Sequence, residues 1–174
     1  MRLWLAVLLL AAPLVAQQRR ADVFGLIGIG KVYDDEGSLG SGPSGGGGIG
    51  YRLRKRLGVE AEINAFSSKR EFGGVPPPFE HNGAHVMGNV LSHFGPSRTQ
   101  FYVLGGAGLL YVKNQARNVS DTGFNVGFGV GMKIFATERV YIRPDFRIFS
   151  GGTSQAVESP FSMLRIGAGV GYSF

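Results

Sequence analysis

The chain has 174 residues, with 18 Lys and Arg against 12 Asp and Glu, 29 glycines and no cysteine. That length is one domain's worth, the absence of cysteine excludes a small disulfide-stapled scaffold, and no segment is apolar for long enough to be a transmembrane helix. The formal charge of +6 comes from bases interleaved with acids along the chain, not from the concentrated basic face of a nucleic-acid binder.

Residues 1–16, MRLWLAVLLLAAPLVA, place one Arg before an apolar run from Leu3 to Leu10, then Pro13 and small residues up to Ala16. A positive start, a short hydrophobic stretch and a small exit residue form a secretory signal peptide. The run is too short to span a membrane as a helix, and polar Gln17, Gln18, Arg19 and Arg20 follow at once. Cleavage is predicted after Ala16, leaving residues 17–174 as a single domain.

From there the apolar pattern has a period of two, not 3.6. It predicts strands at Asp22–Val32, Gly45–Leu53, Leu57–Phe66, Gly83–Phe94, Phe101–Lys113, Thr122–Ala136, Val140–Ser150 and Phe161–Phe174. Most reach the 9–11 residues that a tilted membrane strand requires. The connections after the second, fourth and sixth strands are short: RKR, GPSRTQ and TER. The others are longer and polar or glycine-rich, such as YDDEGSLGSGPSG and SSKREFGGVPPPFEHN. Short turns at one rim and long loops at the other are the layout of a bacterial outer-membrane barrel, with the long loops outside the cell. GSGPSGGGG, which has a linker's composition, reads as a surface loop running into the second strand. Pro144 lacks an N–H in the middle of the seventh strand and predicts a local bulge.

Alternation fits a soluble barrel as well as a membrane barrel, so the contents of the two faces must decide. One face carries Leu57, Val59, Ala61, Ile63 and Ala65, then Phe124, Val126, Phe128, Val130, Met132 and Ile134, with equally uncharged rows in the last two strands. The other carries Glu60, Glu62, Lys133, Arg143, Asp145, Arg147 and Arg165 among glycines such as Gly127, Gly129, Gly131, Gly167, Gly169 and Gly171. Glycine weakens a strand unless room is scarce, and an eight-stranded lumen is only wide enough for side chains to fill it. Long Arg and Glu chains cross such a lumen when the facing positions are nearly empty. The glycine and ionic face is therefore expected inside and the apolar face against lipid, where a Lys or Arg near midplane would cost about 2–4 kcal/mol. Aromatics gather toward the rims, with Tyr51, Phe94, Phe101, Tyr172 and Phe174 at the short-turn end and Tyr111, Phe124 and Phe161 at the other.

Over Asp22–Phe174 this pattern resembles the OmpA-like outer-membrane β-barrel family of small eight-stranded proteins. Gly169, Tyr172 and Phe174 match that superfamily's C-terminal assembly signal, with Gly167 standing where a polar residue is usual. The resemblance implies an all-β, eight-stranded antiparallel up-and-down transmembrane barrel in the outer membrane of a Gram-negative bacterium, recognised by the barrel-assembly machinery. No peptidoglycan-binding domain is expected after the barrel, so the wall-anchoring role of two-domain relatives is not carried over.

Glu60 and Glu62 could be imagined as an acid/base pair, but their predicted lumen is shared with Lys133, Arg143, Asp145, Arg147 and Arg165. Buried charges must be paired, so an ion network that plugs the lumen is the expectation. His81 and His85, four apart, would be about 13 Å apart on a strand, too far to share a metal; His85 and His93 read as lumen or rim residues. Ser67, Ser68, Glu80, His81 and His85 near the outer rim supply the parts of a hydrolase site, though polar loops hold such residues anyway. GLIGIGKV lacks the spacing of a phosphate loop. The expected protein is a monomeric, non-enzymatic structural or surface-interaction protein of the outer membrane, without cofactor or metal. Its expected partners are outer-membrane lipids, the assembly machinery and an extracellular ligand held by the loops, with no nucleic acid. A narrow solute pore, an outer-membrane lipid-modifying enzyme and a soluble lipocalin-like carrier are the alternatives, in that order.

Overall fold

The structure, a computed structural model, describes residues 20–34, 37–70, 79–96, 98–114, 118–152 and 161–174. The predicted leader and its cleavage site lie outside the described residues. Eight strands follow in chain order: β1 (Ala21–Asp34), β2 (Gly37–Arg52), β3 (Leu57–Arg70), β4 (Phe79–Phe94), β5 (Thr99–Asn114), β6 (Val119–Phe135), β7 (Val140–Gly152) and β8 (Phe161–Ser173). Each pairs antiparallel with the next, and β8 closes on β1 through a ladder from Asp22↔Ser173 to Tyr33↔Ser162. Closure pairs the backbone groups of both would-be edge strands, which a sheet immersed in hydrocarbon must do because no water is there to bond them.

At the short-turn rim the predicted strand ends lie within two residues of the observed ones. At the other rim the strands run on. The largest correction concerns GSGPSGGGG, which is not a loop but part of β2, paired with β1 through Gly30↔Gly42, Ile29↔Pro43 and Gly28↔Ser44. Only residues 35–36 separate β1 from β2, so this connection is short as well. A ladder needs backbone groups rather than bulky side chains, and small residues let β2 lie close to β3: a Cβ at Gly42 or Gly46 would collide with the carbonyl of Ser67 or Ile63. One bulge sets Val32↔Gly40 beside Tyr33↔Ser38, with Gly40 held at φ +114°, a conformation that glycine adopts without strain.

Pro144 is the second correction. It makes no bulge: the β7–β8 register runs unbroken through Pro144↔Ala168. On the β6 side the ladder skips from Gly131↔Asp145 to Ile134↔Ile142 without a change of register. The missing N–H is absorbed as a lapse in pairing, and the alternation of faces continues past it.

That alternation sorts the side chains. Ile27, Ile63, Phe128, Ile166 and Val170 point outward and are exposed, whereas Glu60, Glu62, Arg143, Asp145, Arg147 and Arg165 point inward and are buried. The outward apolar rows end on Lys31, Ser67, Lys113, Thr122, Ser150 and Ser162, the next outward residues toward the long-loop rim. At about 3.3 Å per residue and a tilt near 40°, the 16 residues of β4 or β5 rise about 40 Å along the axis, against an apolar band about 25 Å tall. The surplus carries a paired ribbon beyond the lipid on the long-loop side.

Inward glycines make room for rings as well as for guanidinium groups. A Cβ at Gly171 would strike the Tyr141 ring, one at Gly131 the Tyr102 hydroxyl, and one at Gly129 the Arg147 side chain at 2.7 Å. Gly171→Val should therefore destabilise the barrel by about 1–3 kcal/mol, the usual cost of overpacking. Gly88→Ala, whose added Cβ meets nothing within 4 Å, should leave stability unchanged. Urea unfolding of the two variants from lipid vesicles compares them directly.

Candidate functional site

The middle of the lumen is a closed ion network of three guanidinium groups and three carboxylates. Arg143 forks onto Glu60, with Nη1 donating to Oε2 at 2.7 Å and Nη2 to Oε1 at 3.1 Å. Two-pronged contact of this kind is the strongest Arg–carboxylate geometry. Arg147 touches all three acids: Nε donates to Asp145 Oδ1 at 2.9 Å, Nη2 to Glu60 Oε1 at 3.1 Å, and Nη1 pairs with Glu62 Oε2. Arg165 donates from Nη1 to Glu62 Oε1 at 2.7 Å and from Nη2 to Asp145 Oδ1 at 3.0 Å. All six side chains are at most 2% exposed.

The sequence places these groups together through the two-residue repeat. Glu60 and Glu62 are alternate residues of β3; Arg143, Asp145 and Arg147 are alternate residues of β7; Arg165 lies across from Arg147 on β8. The period delivers every one of them to the same side of the wall. Gly129 and Gly131 lie across from Arg147 and Asp145 on β6 and leave their space free.

Lys133 lies apart from this network. It is nearer the short-turn rim, where its Nζ donates to Asp22 Oδ2 at 2.7 Å and sits 4.8 Å from the centre of the Tyr141 ring. Tyr141 donates its hydroxyl to Asp22 Oδ1 at 2.8 Å. Sequence reasoning missed Asp22, because β1 is apolar on both faces and its alternation gives no warning of an inward acid. It also missed the aromatic partners. Tyr102 accepts from Arg143 Nε at 2.7 Å and donates to Asp145 Oδ2, while Phe24 stacks under the Arg143 guanidinium, 4.1 Å from ring centre to Cζ. Their contacts with Arg143, far along the chain, leave no mark in the local pattern.

Above and below the ions the lumen holds apolar clusters beside buried polar side chains such as Ser44, Asn64, Asn89 and Asn125. Toward the long-loop rim Val32, Phe66, Met87, Leu110, Phe149 and Met163 belong to one buried cluster. On the short-turn side Phe24, Leu26 and Tyr141 form a second, and Leu91, Tyr102 and Leu104 a third. Below them opens a vestibule of about 650 Å³ at the short-turn mouth, lined by Arg52, Arg98, Gln100, Phe135 and Ser173 among others. Arg52 bridges it by donating to Gln100 Oε1.

The catalytic readings of the sequence find no matching geometry among the described residues. Glu60 and Glu62 are both tied to arginines, which holds them as charge partners. His85 is buried with Nε2 3.9 Å from Glu62 Oε1 and its ring 4.6 Å from that of Phe149. His93 is also buried, 6.2 Å from the Tyr102 ring centre. Ser68 is buried opposite His81 in the β3–β4 ladder; the side chains of Glu80 and His81 lie outside the described residues.

At the short-turn rim the outward rings of Tyr51, Phe94, Phe101 and Phe174 are exposed. Phe94 stacks on Phe101 at 6.1 Å, and Tyr172 meets Phe174 edge-on at 5.1 Å. Gly169 faces the opposite way, into the lumen beside Leu26. Tyr111 and Phe124 are exposed at the other rim, and Phe161's side chain lies outside the described residues.

Comparison with known proteins bears on this architecture. A profile of the outer membrane protein beta-barrel domain matches residues 3–174, while no curated protein matches the sequence. Among solved structures, Neisserial surface protein A superposes with a TM-score of 0.74 at 16% identity, covering 88% of this chain and 97% of that one. The N-terminal β-barrel domain of Pseudomonas aeruginosa OprF gives 0.57 at 18% identity, covering 89% and 98%. Ail, the attachment invasion locus protein of Yersinia pestis, gives 0.56 at 13% identity, covering 90% and 100%. At such identities the likeness is one of fold.

Proposed function

The chain belongs to the outer membrane protein beta-barrel family, and from that membership we propose that it is a surface-interaction protein whose lumen is closed, neither a solute pore nor an enzyme. The observation that carries this reading is the filled lumen. A neutral layer of six interlocked ionic side chains lies between apolar clusters toward both rims. An ion entering it would have to break hydrogen-bonded charge pairs in a region where an unpaired charge is costly.

What remains available for partners is the paired ribbon that rises past the lipid on the long-loop side. Hairpins of that kind present side chains at fixed spacing on a rigid base, which suits binding at the cell surface. Two of the structural neighbours are Neisserial surface protein A and the attachment invasion locus protein of Yersinia pestis; those names describe those proteins and agree with the reading. The outward Tyr172 and Phe174 rings, with Gly169 behind them, are the proposed handle for the barrel-assembly machinery.

Planar-bilayer recordings of the purified, folded protein test the closed lumen. The expected trace has no stable open level. A large and lasting conductance would overturn the proposal in favour of a pore.

A further inference from the structure

The ionisable groups differ in balance from level to level along the barrel axis. Inside, Lys133, Arg143, Arg147 and Arg165 face Asp22, Glu60, Glu62 and Asp145, so the lumen is neutral. The connecting segments of the long-loop rim carry Asp35, Glu36, Glu71 and Glu158 with Arg117 as their one base. The three short turns show the reverse. They read Leu-Arg-Lys-Arg at 53–56, Gly-Pro-Ser-Arg at 95–98 and Ala-Thr-Glu-Arg at 136–139, with Glu138 as their one acid. Arg54, Lys55, Arg56, Arg98 and Arg139 are all exposed, and Arg52 adds a further cation at the vestibule mouth. Folding has gathered at one rim a positive charge that looks scattered along the chain.

We infer that this rim binds the phosphate headgroups of anionic glycerophospholipids in the inner leaflet of the outer membrane. The placement of the cations argues for lipid rather than a soluble acidic partner. Arg54, Lys55 and Arg56 are flanked by Leu53 and Leu57, which are 47% and 38% exposed, so the basic turn is bracketed by apolar groups at the edge of the lipid band. Arg139 Nη1 donates to the Tyr172 hydroxyl at 3.0 Å, which holds that guanidinium against the outer wall. Tyr51, Phe94, Phe101 and Phe174 mark the same level, and such aromatic belts sit at headgroup depth. Cations at that depth meet phosphates. Guanidinium groups match phosphate oxygens two at a time, and anionic leaflets attract Lys and Arg within a Debye length of their surface.

Lipid selectivity of the folded protein is the test. The barrel is placed in nanodiscs of phosphatidylcholine with a minority of phosphatidylglycerol, and spin-labelled versions of each lipid report the fraction held at the protein surface. Wild-type protein should favour phosphatidylglycerol about threefold at low salt, and added salt should erode the preference. Replacing Arg54, Lys55, Arg56 and Arg139 together by serine should bring it close to parity. Replacing Lys31 and Lys113, exposed at the edge of the apolar band on the opposite rim, should lower it less than the fourfold change does. Heat-modifiable gel migration verifies that each variant is folded. Should the fourfold variant fail to fold, Arg139→Ser and the wild-type salt titration carry the test, each expected to reduce the preference. A wild-type protein without preference, a preference insensitive to salt, one that survives loss of the rim cations, or one lost with Lys31 and Lys113 overturns the inference. So does binding of soluble acidic cell-wall fragments in the absence of phosphatidylglycerol selectivity.

Discussion

Arg147→Met is expected to lower the stability of the barrel by about 3–5 kcal/mol, the range for removing one partner from a buried charge network. The size of the effect follows from where the guanidinium sits. It is fully buried and contacts Glu60, Glu62 and Asp145 at once. Methionine fills much of the volume but leaves three carboxylates sharing two arginines in a site without access to bulk water. Neutralising one acid should recover part of the loss, so Arg147→Met combined with Glu62→Gln is expected to be more stable than Arg147→Met alone. Glu62→Gln alone, which takes a charge partner from Arg147 and Arg165, should instead cost stability, and that reversal of sign cannot arise if the two sites act independently. Urea titration of the protein folded in lipid vesicles reads both variants. A single-variant loss below about 1 kcal/mol would place these charges in the range of solvated surface pairs, and the closed lumen would fall with it.

Phe128→Arg probes the opposite face and should cost about 2–4 kcal/mol, as for a cation near the bilayer midplane. Phe128 stands midway along the outward row of β6, between Phe124 and Ile134, and is 69% exposed. In water, exposure of that degree would make the position tolerant. In lipid it makes an arginine expensive. Thr122→Arg, on the same face of the same strand but at the edge of the apolar band, should cost no more than about 1 kcal/mol. The contrast between two outward sites isolates depth in the membrane from any general effect of charge. Equal small losses at both would mean that the apolar face does not meet hydrocarbon.

Much of the fold was legible because its governing pattern is local. A repeat of two residues can be read from neighbours in the chain, and the contents of Glu60-Ala61-Glu62-Ile63 or Arg143-Pro144-Asp145-Phe146-Arg147 already separate an ionic side from an apolar one. Even Pro144 left the alternation intact. Strand ends were legible at the short-turn rim, where RKR and TER interrupt the pattern sharply. They were not at the long-loop rim, because the glycines and serines of β2 pair through their backbones without an apolar rhythm to announce it.

The candidate site divides along the same line. Which residues of β3, β6, β7 and β8 face inward follows from parity, but which inward residues touch depends on register across strands that the chain visits far apart. Arg143 reaches Glu60 over a separation of 83 residues, and Lys133 reaches Asp22 over 111. Sequence alone determined the strand period, the two faces and the stock of charges available to fill the lumen, because each depends on the spacing of adjacent residues. Only the tertiary structure decided that Lys133 leaves the central network for Asp22 and that Phe24 and Tyr102 clasp Arg143. Those outcomes are set by closing the cylinder at one particular shear, and no stretch of chain contains that information by itself.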